Sequence, residues 1–218
     1  MIDLKFDLYK FYSKGYTSGF TSEYLSYKFK NVIKNTNWIE GHYPKYADWS
    51  ILEPMPGQTD DLYFEEIIRN RLAYGRAPTE LRCLANEFID SEFFEPFKNS
   101  LVKVQHQQYR NLRNIKPFSF GLWNGQESLA WHNDTSDLSD FFVLMYFNDY
   151  EVWDKSWGGQ LHVGNQNESG DIVEVFQHDP IDSTFVVINN QNPLFYHSIT
   201  ANDRNKDRIA LSISYKIE

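Results

Sequence analysis

Apolar positions recur at helical spacing in the first hundred residues, then change to short runs dominated by β-branched and aromatic side chains. From Ser22 to Asn35, the residues Tyr24, Leu25, Phe29, Val32 and Ile33 fall on one side of a predicted helix. A second helix is predicted from about Asp60 to Tyr74, with Leu62, Phe64, Ile67, Ile68 and Leu72 on its apolar side. A third begins near Pro78, a favourable first-turn residue, and runs towards Phe94 with Leu81, Leu84, Phe88 and Ile89 inward. Between the first two lies a loop, Gly41 to Gly57, marked by its Pro and Gly content. Loops of that length often carry function.

After about Pro117 the predicted strands are Phe118 to Trp123, Ser128 to Asp134, Phe141 to Phe147, Gln160 to Val163, Ser183 to Ile188 and Arg208 to Ile217. Turn chemistry separates them, including Asn124-Gly125, Asn148-Asp149 and Gly158-Gly159. Short strands in succession with no helix between them indicate an antiparallel sandwich or jelly roll. No internal repeat or low-complexity tract interrupts the pattern.

Composition narrows the class. A chain of 218 residues, 41% hydrophobic and 17% aromatic, has enough apolar material for one sizeable core and is expected to form a single domain over 1–218. Residues 1–116 would supply mainly helical support and substrate loops, and 117–218 the jelly-roll core. The formal net charge of -9 argues against nucleic acid, whose phosphates are tracked by clustered Lys and Arg. The only cysteine, Cys83, lies beside Leu81 and Leu84 and is expected to be a small buried hydrophobe. Met1 to Asp7 alternate charge with apolar residues, unlike a secretory leader, and no stretch approaches the roughly 20 apolar residues of a membrane span. The expected location is the cytoplasm, with no membrane partner.

Candidate chemistry begins at His132-Asn133-Asp134. Residues two apart on a strand point to the same face, so one imidazole and one carboxylate converge. His197 follows Phe195-Tyr196 in a segment able to pair beside that strand. Two His and one carboxylate on one side of an octahedral ion leave the other side open, as a non-haem Fe(II) oxygenase requires. His-x-Asp alone is common; the closing segment adds specificity. Arg208 shares a strand face with Ala210, Ser212 and Ser214, and a guanidinium beside hydroxyls suits a carboxylate.

With these parts in this order, Phe118 to Tyr215 resembles the 2-oxoglutarate/Fe(II)-dependent oxygenases, in particular their prolyl-4-hydroxylase-like branch. The resemblance rests on Trp131-His132-Asn133-Asp134, the strand Leu144 to Asn148, Gly158-Gly159-Gln160-Leu161, His197, and Arg208 with Ser212. It implies an α+β fold: a double-stranded β-helix (jelly roll) with an N-terminal helical layer packed on the major sheet. It implies that His132, Asp134 and His197 bind Fe(II), and that Arg208, Ser212 and Tyr146 receive the distal carboxylate of the cosubstrate 2-oxoglutarate. The implied reaction consumes O2, releases succinate and CO2 and hydroxylates a C–H, with ascorbate supporting activity. The implied substrate is a prolyl residue or another peptidyl or amino-acid group. Collagen-type relatives carry Lys where this chain has Arg208, and Gln160 departs from the residue usual after the glycine pair. Halogenating relatives replace the carboxylate ligand, which is retained here as Asp134. Two other readings are a cupin-like metal protein working without 2-oxoglutarate and a non-catalytic jelly-roll binding module.

The remaining candidates have ordinary readings. Tyr146 is either a core tyrosine with a partnered hydroxyl or the ligand contact that the resemblance implies. Trp131 is expected to point away from the metal and pack against the helical layer. His162 reads as a surface or supporting residue, His178 as a turn residue, His106 as part of a solvated connection, His42 as a plain loop residue in preference to a substrate contact, and Trp49 as either a core anchor or a residue lining a substrate mouth.

Overall fold

The computed structural model describes residues 5–38, 71–73, 77–105, 115–124, 128–135, 139–148, 152–202 and 208–217. Helix α1 (Leu8–Lys14) starts where Asp7 accepts the Lys10 N–H at 2.9 Å and stops at Gly15, whose φ of 86° favours glycine. Helix α2 (Glu23–Asn35) is capped by Ser22 and buries Leu25, Phe29 and Ile33, while Tyr24 faces solvent. Helix α3 (Thr79–Ile89) follows Pro78 and buries Leu81, Leu84, Phe88 and Ile89. It ends well before Phe94; a 3₁₀ turn (Glu92–Phe94) intervenes, and helix α4 (Glu95–Gln105) follows. Cys83 is exposed, contrary to expectation. At about 100° per residue it lies some 200° around the helix from Leu81, on the far side from the buried stripe Leu81, Leu84, Ala85 and Phe88. No helix among the described residues is long and apolar enough to cross a membrane.

The strands are β1 (Tyr16–Phe20), β2 (Arg71–Ala73), β3 (Ile115–Asn124), β4 (Leu129–His132), β5 (Phe141–Tyr146), β6 (Leu161–Gln166), β7 (Ile172–His178), β8 (Thr184–Asn189), β9 (Phe195–Ile199) and β10 (Ile209–Ile217). They form a six-stranded major sheet, ordered β1-β8-β5-β10-β3-β2, and a four-stranded minor sheet, ordered β4-β9-β6-β7. All pairings are antiparallel, as in a jelly roll. The helix predicted from Asp60 to Tyr74 lies outside the described residues except at 71–73, which pair with β3 as a strand (Leu72 opposite Phe120). Pairing with a neighbouring strand overrides a helical pattern there. The loop from Gly41 to Gly57, with His42 and Trp49, also lies outside the described residues, as does His106.

Alternation along the major sheet divides the core in two. Phe141, Val143, Met145, Leu211, Ile213 and Tyr215 face the helices, in one buried cluster with Phe29, Leu81, Phe88, Phe94 and Phe97. Tyr215 donates to the Ala85 carbonyl of α3 at 2.9 Å, and Phe88 meets Phe185 of β8 edge to face at 4.9 Å, so the helical layer is held on this sheet. Each fully buried Phe contributes roughly 1.5–3 kcal/mol. The opposite face of the sheet presents Phe142, Leu144, Tyr146, Val186, Ile188 and Ala210 to Leu161, Val163 and Ile199 of the minor sheet. Strand β5 is therefore buried at all six positions. It reads as an unbroken apolar run for that reason.

Candidate metal centre

β4 and β9 pair with Leu129 opposite Ile199 and His132 opposite His197, with a register shift between Leu129 and His132. Three steps on β4 thus match two on β9, which is a β-bulge. Without it, Leu129 and His132 would face opposite sides; with it, both point between the sheets. The bulge also turns the Ala130 carbonyl to within 2.8 Å of His132 Nδ1. A carbonyl only accepts, so Nδ1 carries a hydrogen, and Nε2 is the ring nitrogen turned towards Asp134.

Asp134, just beyond β4, completes the corner. His132 Nε2 lies 3.6 Å from Asp134 Oδ1, and His197 Nε2 lies 3.5 Å from Asp134 Oδ2. The two imidazoles have their centroids 4.0 Å apart, and one ligand atom from each of the three residues falls within 4.8 Å of the others. Burial drives the His197 pKa down to about 3, with His132 adding to the shift and Asp134 opposing it. His197 is therefore neutral near pH 7, the form in which imidazole ligates a metal.

The wall opposite is built on β5 and β10. Phe142 of β5 packs on His197 with centroids 5.0 Å apart, and Tyr146 lies four residues further along the same face. Tyr146 pairs with Ala210, and Ser212 with Leu144, so Ser212 and Tyr146 share that face, while Arg208 stands just ahead of β10. Arg208 is 1% exposed and donates through Nη1 to the Gly159 carbonyl at 3.3 Å. Gly159 sits in a turn where both glycines have positive φ, 73° and 75°. A Cβ on Gly158 would lie 1.9 Å from the Ala201 carbonyl oxygen, and one on Gly159 3.4 Å from Arg208 Cδ. Positive φ at both positions and the close approach of Gly158 to Ala201 require glycine in the turn whose carbonyl accepts from Arg208. Gln160 is buried, its amide donating to the Lys155 carbonyl and accepting from Thr200, which is a structural role.

Tyr146 Oη is buried with no hydrogen-bond partner among the described residues. Burial pushes its ionisation far above the usual phenol range, against the nearby Arg208 charge and together with that of Asp179. It is thus a protonated donor whose hydrogen meets no acceptor among the described residues. A guanidinium, a phenol and a hydroxyl supply donors to one buried wall, and two imidazoles with one carboxylate supply ligands beside it. The residues present fit a first-row divalent ion together with a carboxylate-bearing small molecule.

Two sequence expectations are corrected here. Trp131 does point away from the ligand atoms, but it lies on the outer face of the minor sheet, 6.3 Å from the His162 ring and against Gly164, and not on the helical layer. The helices cover the other sheet. His178 is no turn residue: it ends β7 and stacks on Tyr146, with centroids 5.5 Å apart. The burial of Ile172 to His178 does not alternate strictly, so the sequence conceals this strand. His162 behaves as expected, bonding Glu174 at 2.6 Å on the outer face.

No family model matches the sequence, and no curated protein is similar to it. Solved structures do match. A Pseudomonas putida prolyl-4-hydroxylase superposes with a TM-score of 0.50 at 15% identity, covering 96% of both chains. A Trichoplax adhaerens prolyl hydroxylase, in complex with a hypoxia inducible factor oxygen degradation domain peptide fragment, gives 0.55 at 15% identity over 94% of this chain and 85% of its own. HygX from Streptomyces hygroscopicus, with nickel and 2-oxoglutarate bound, gives 0.53 at 12% identity over 95% and 85%. The chain has the double-stranded β-helix fold of the 2-oxoglutarate/Fe(II) oxygenases, in the form found in prolyl-4-hydroxylases.

Proposed function

We propose that this protein is a non-haem Fe(II), 2-oxoglutarate-dependent oxygenase that hydroxylates an unactivated C–H of a prolyl or other peptidyl or amino-acid substrate. The observation that carries the reading is the juxtaposition of three convergent ligand atoms with a buried wall of donors facing them. In this reading His132, Asp134 and His197 hold Fe(II), while Arg208, Tyr146 and Ser212 orient the distal carboxylate of 2-oxoglutarate. With 2-oxoglutarate and O2, the iron supplies the oxidising chemistry, whose by-products are succinate and CO2. The chain's own contribution is placement and exclusion of water. Arg208 neutralises the carboxylate through a planar fork, Tyr146 donates one hydrogen bond from a buried phenol, and the apolar residues Phe142, Leu144 and Val163 line the space between the sheets.

The peptide bound by the Trichoplax relative supports a peptidyl substrate, and the nickel and 2-oxoglutarate of HygX support the cofactor pair. The whole chain is taken as one domain, acting in the cytoplasm, with ascorbate maintaining activity. The cupin-like reading has no use for a buried Arg–Tyr–Ser wall. The test is succinate release with Fe(II), ascorbate and 2-oxoglutarate across proline peptides and free amino acids. Turnover coupled to one substrate class and lost in Arg208→Ala is the expected result. Metal-dependent activity indifferent to 2-oxoglutarate and to Arg208 would overturn the proposal.

A further inference from the structure

The inner ends of β5, β7 and β8 meet at Tyr146, where side chains outside the proposed ligand set are arranged around its ring. His178 lies against Tyr146 at 28° between planes, and on from it come Phe176, 5.9 Å from His178, and Tyr16 of β1, stacked 4.0 Å from Phe176. The four rings form a column from the middle of the major sheet to its edge. Tyr146 Oη has no hydrogen-bond partner among the described residues, so among them the ring contacts set the direction of the phenol.

The orientation of His178 is fixed by protons that can be counted. Thr184 Oγ1 lies 2.7 Å from the Ile181 carbonyl and 2.9 Å from His178 Nε2. The hydroxyl has one proton, and the carbonyl can only accept it. The contact with His178 therefore requires Nε2 to be the donor. Burial lowers the His178 pKa to about 4, so near neutral pH the ring is uncharged, with Nε2–H facing Thr184 and a lone pair on Nδ1. A phenylalanine would stack similarly but would lack the bond that fixes the ring.

We propose that His178 is a positioning residue for the cosubstrate: stacked on Tyr146 and pinned by its Nε2–H bond to Thr184, it aims the phenol that receives the distal carboxylate. This rests on the function proposed above. Being uncharged, His178 leaves Arg208 as the cation of that wall and keeps the ring in one orientation whether or not the carboxylate is bound.

The test is calorimetric binding of 2-oxoglutarate to the Mn(II)-loaded protein without O2, for wild type, His178→Ala, Tyr146→Phe and the double variant, with Mn(II) affinity measured in parallel. Loss of one aromatic stacking contact is expected to weaken 2-oxoglutarate binding about three- to tenfold in His178→Ala and leave Mn(II) affinity unchanged. In the Tyr146→Phe background the same change should cost less than about twofold, because residues acting through one another do not add. Thr184→Val serves if His178→Ala does not fold; the Nε2–H tautomer, read from imidazole 15N shifts, should be lost in it together with about twofold in affinity. Wild-type affinity in His178→Ala, full additivity in the double variant, or an unchanged tautomer and affinity in Thr184→Val overturns the inference alone. A wild-type protein that binds Mn(II) but no 2-oxoglutarate overturns both the inference and the function on which it rests.

Discussion

The candidate metal corner hangs on the short pair β4–β9 and reaches solvent through Asp134, whose side chain is 47% exposed. The wall facing it rests on the central strands β5 and β10, with Tyr146 and Arg208 each 1% exposed and Ser212 9%. The corner is made by a local irregularity, the bulge that turns His132 inward. The wall is made by regular alternation in the best-packed part of the sheet. This difference suits the tasks proposed for them. Ligands at a solvent-facing edge let an ion, O2 and a substrate enter and leave, whereas a charged carboxylate is best recognised by donors already desolvated and held in place. The wall has a cost when nothing is bound, because a buried hydroxyl without a partner among the described residues is destabilising.

The largest effect should come from removing the ligand that the irregularity aims, in His132→Ala. The imidazole is then lost while the bulge and the β4–β9 pairing remain. Fe(II) or Mn(II) affinity is expected to fall more than about hundredfold, the least that loss of a whole ligand should cost when supporting contacts alone cost 10–100-fold. Far-ultraviolet circular dichroism should stay native, since neither apolar cluster is touched; retained metal affinity would show that His132 is not a ligand. Next comes Arg208→Met, which should weaken 2-oxoglutarate about 10–100-fold in calorimetry and spare metal affinity, because charge-assisted hydrogen bonds are each worth about 1.5–3 kcal/mol.

Acid separates the regions less sharply. His197 and His178 are held neutral in the fold, with pKa values lowered to about 3 and about 4, against about 6.5 when unfolded. Below pH 6.5 the unfolded chain therefore binds more protons than the folded one. Stability of the metal-free protein should be fully present above that pH and decline as pH falls towards 4, read as a dropping Tm. Replacing His178 with Phe should flatten the slope. The smallest change is Tyr146→Phe, which should raise metal-free stability by about 1 kcal/mol in urea unfolding and weaken 2-oxoglutarate severalfold. Opposite signs in the two measurements are the signature of a group kept for a ligand.

Much of this was legible in the chain itself. The strands β5, β8 and β10 are buried on both faces or nearly so, and their apolar runs announce them whatever their neighbours. His132, Asp134, His197, Arg208 and Ser212 stand out because their chemistry is unusual and their order specific. Local pattern was insufficient where partners decide the outcome. β1 and β2 lie in a segment dominated by helical periodicity and are strands because β8 and β3 pair with them. Edge strand β7 has exposed residues out of strict alternation, so nothing in its pattern distinguishes His178 from a turn residue. Trp131 could be placed on the side away from the metal, but not on the outer face of the minor sheet, because that depends on which sheet the helices cover. The types and spacing of the ligands are local and belong to the sequence. The bulge that aims His132, the glycine turn whose carbonyl accepts from Arg208 and the burial of the Tyr146 phenol arise from long-range pairing and packing, which only the tertiary structure decides.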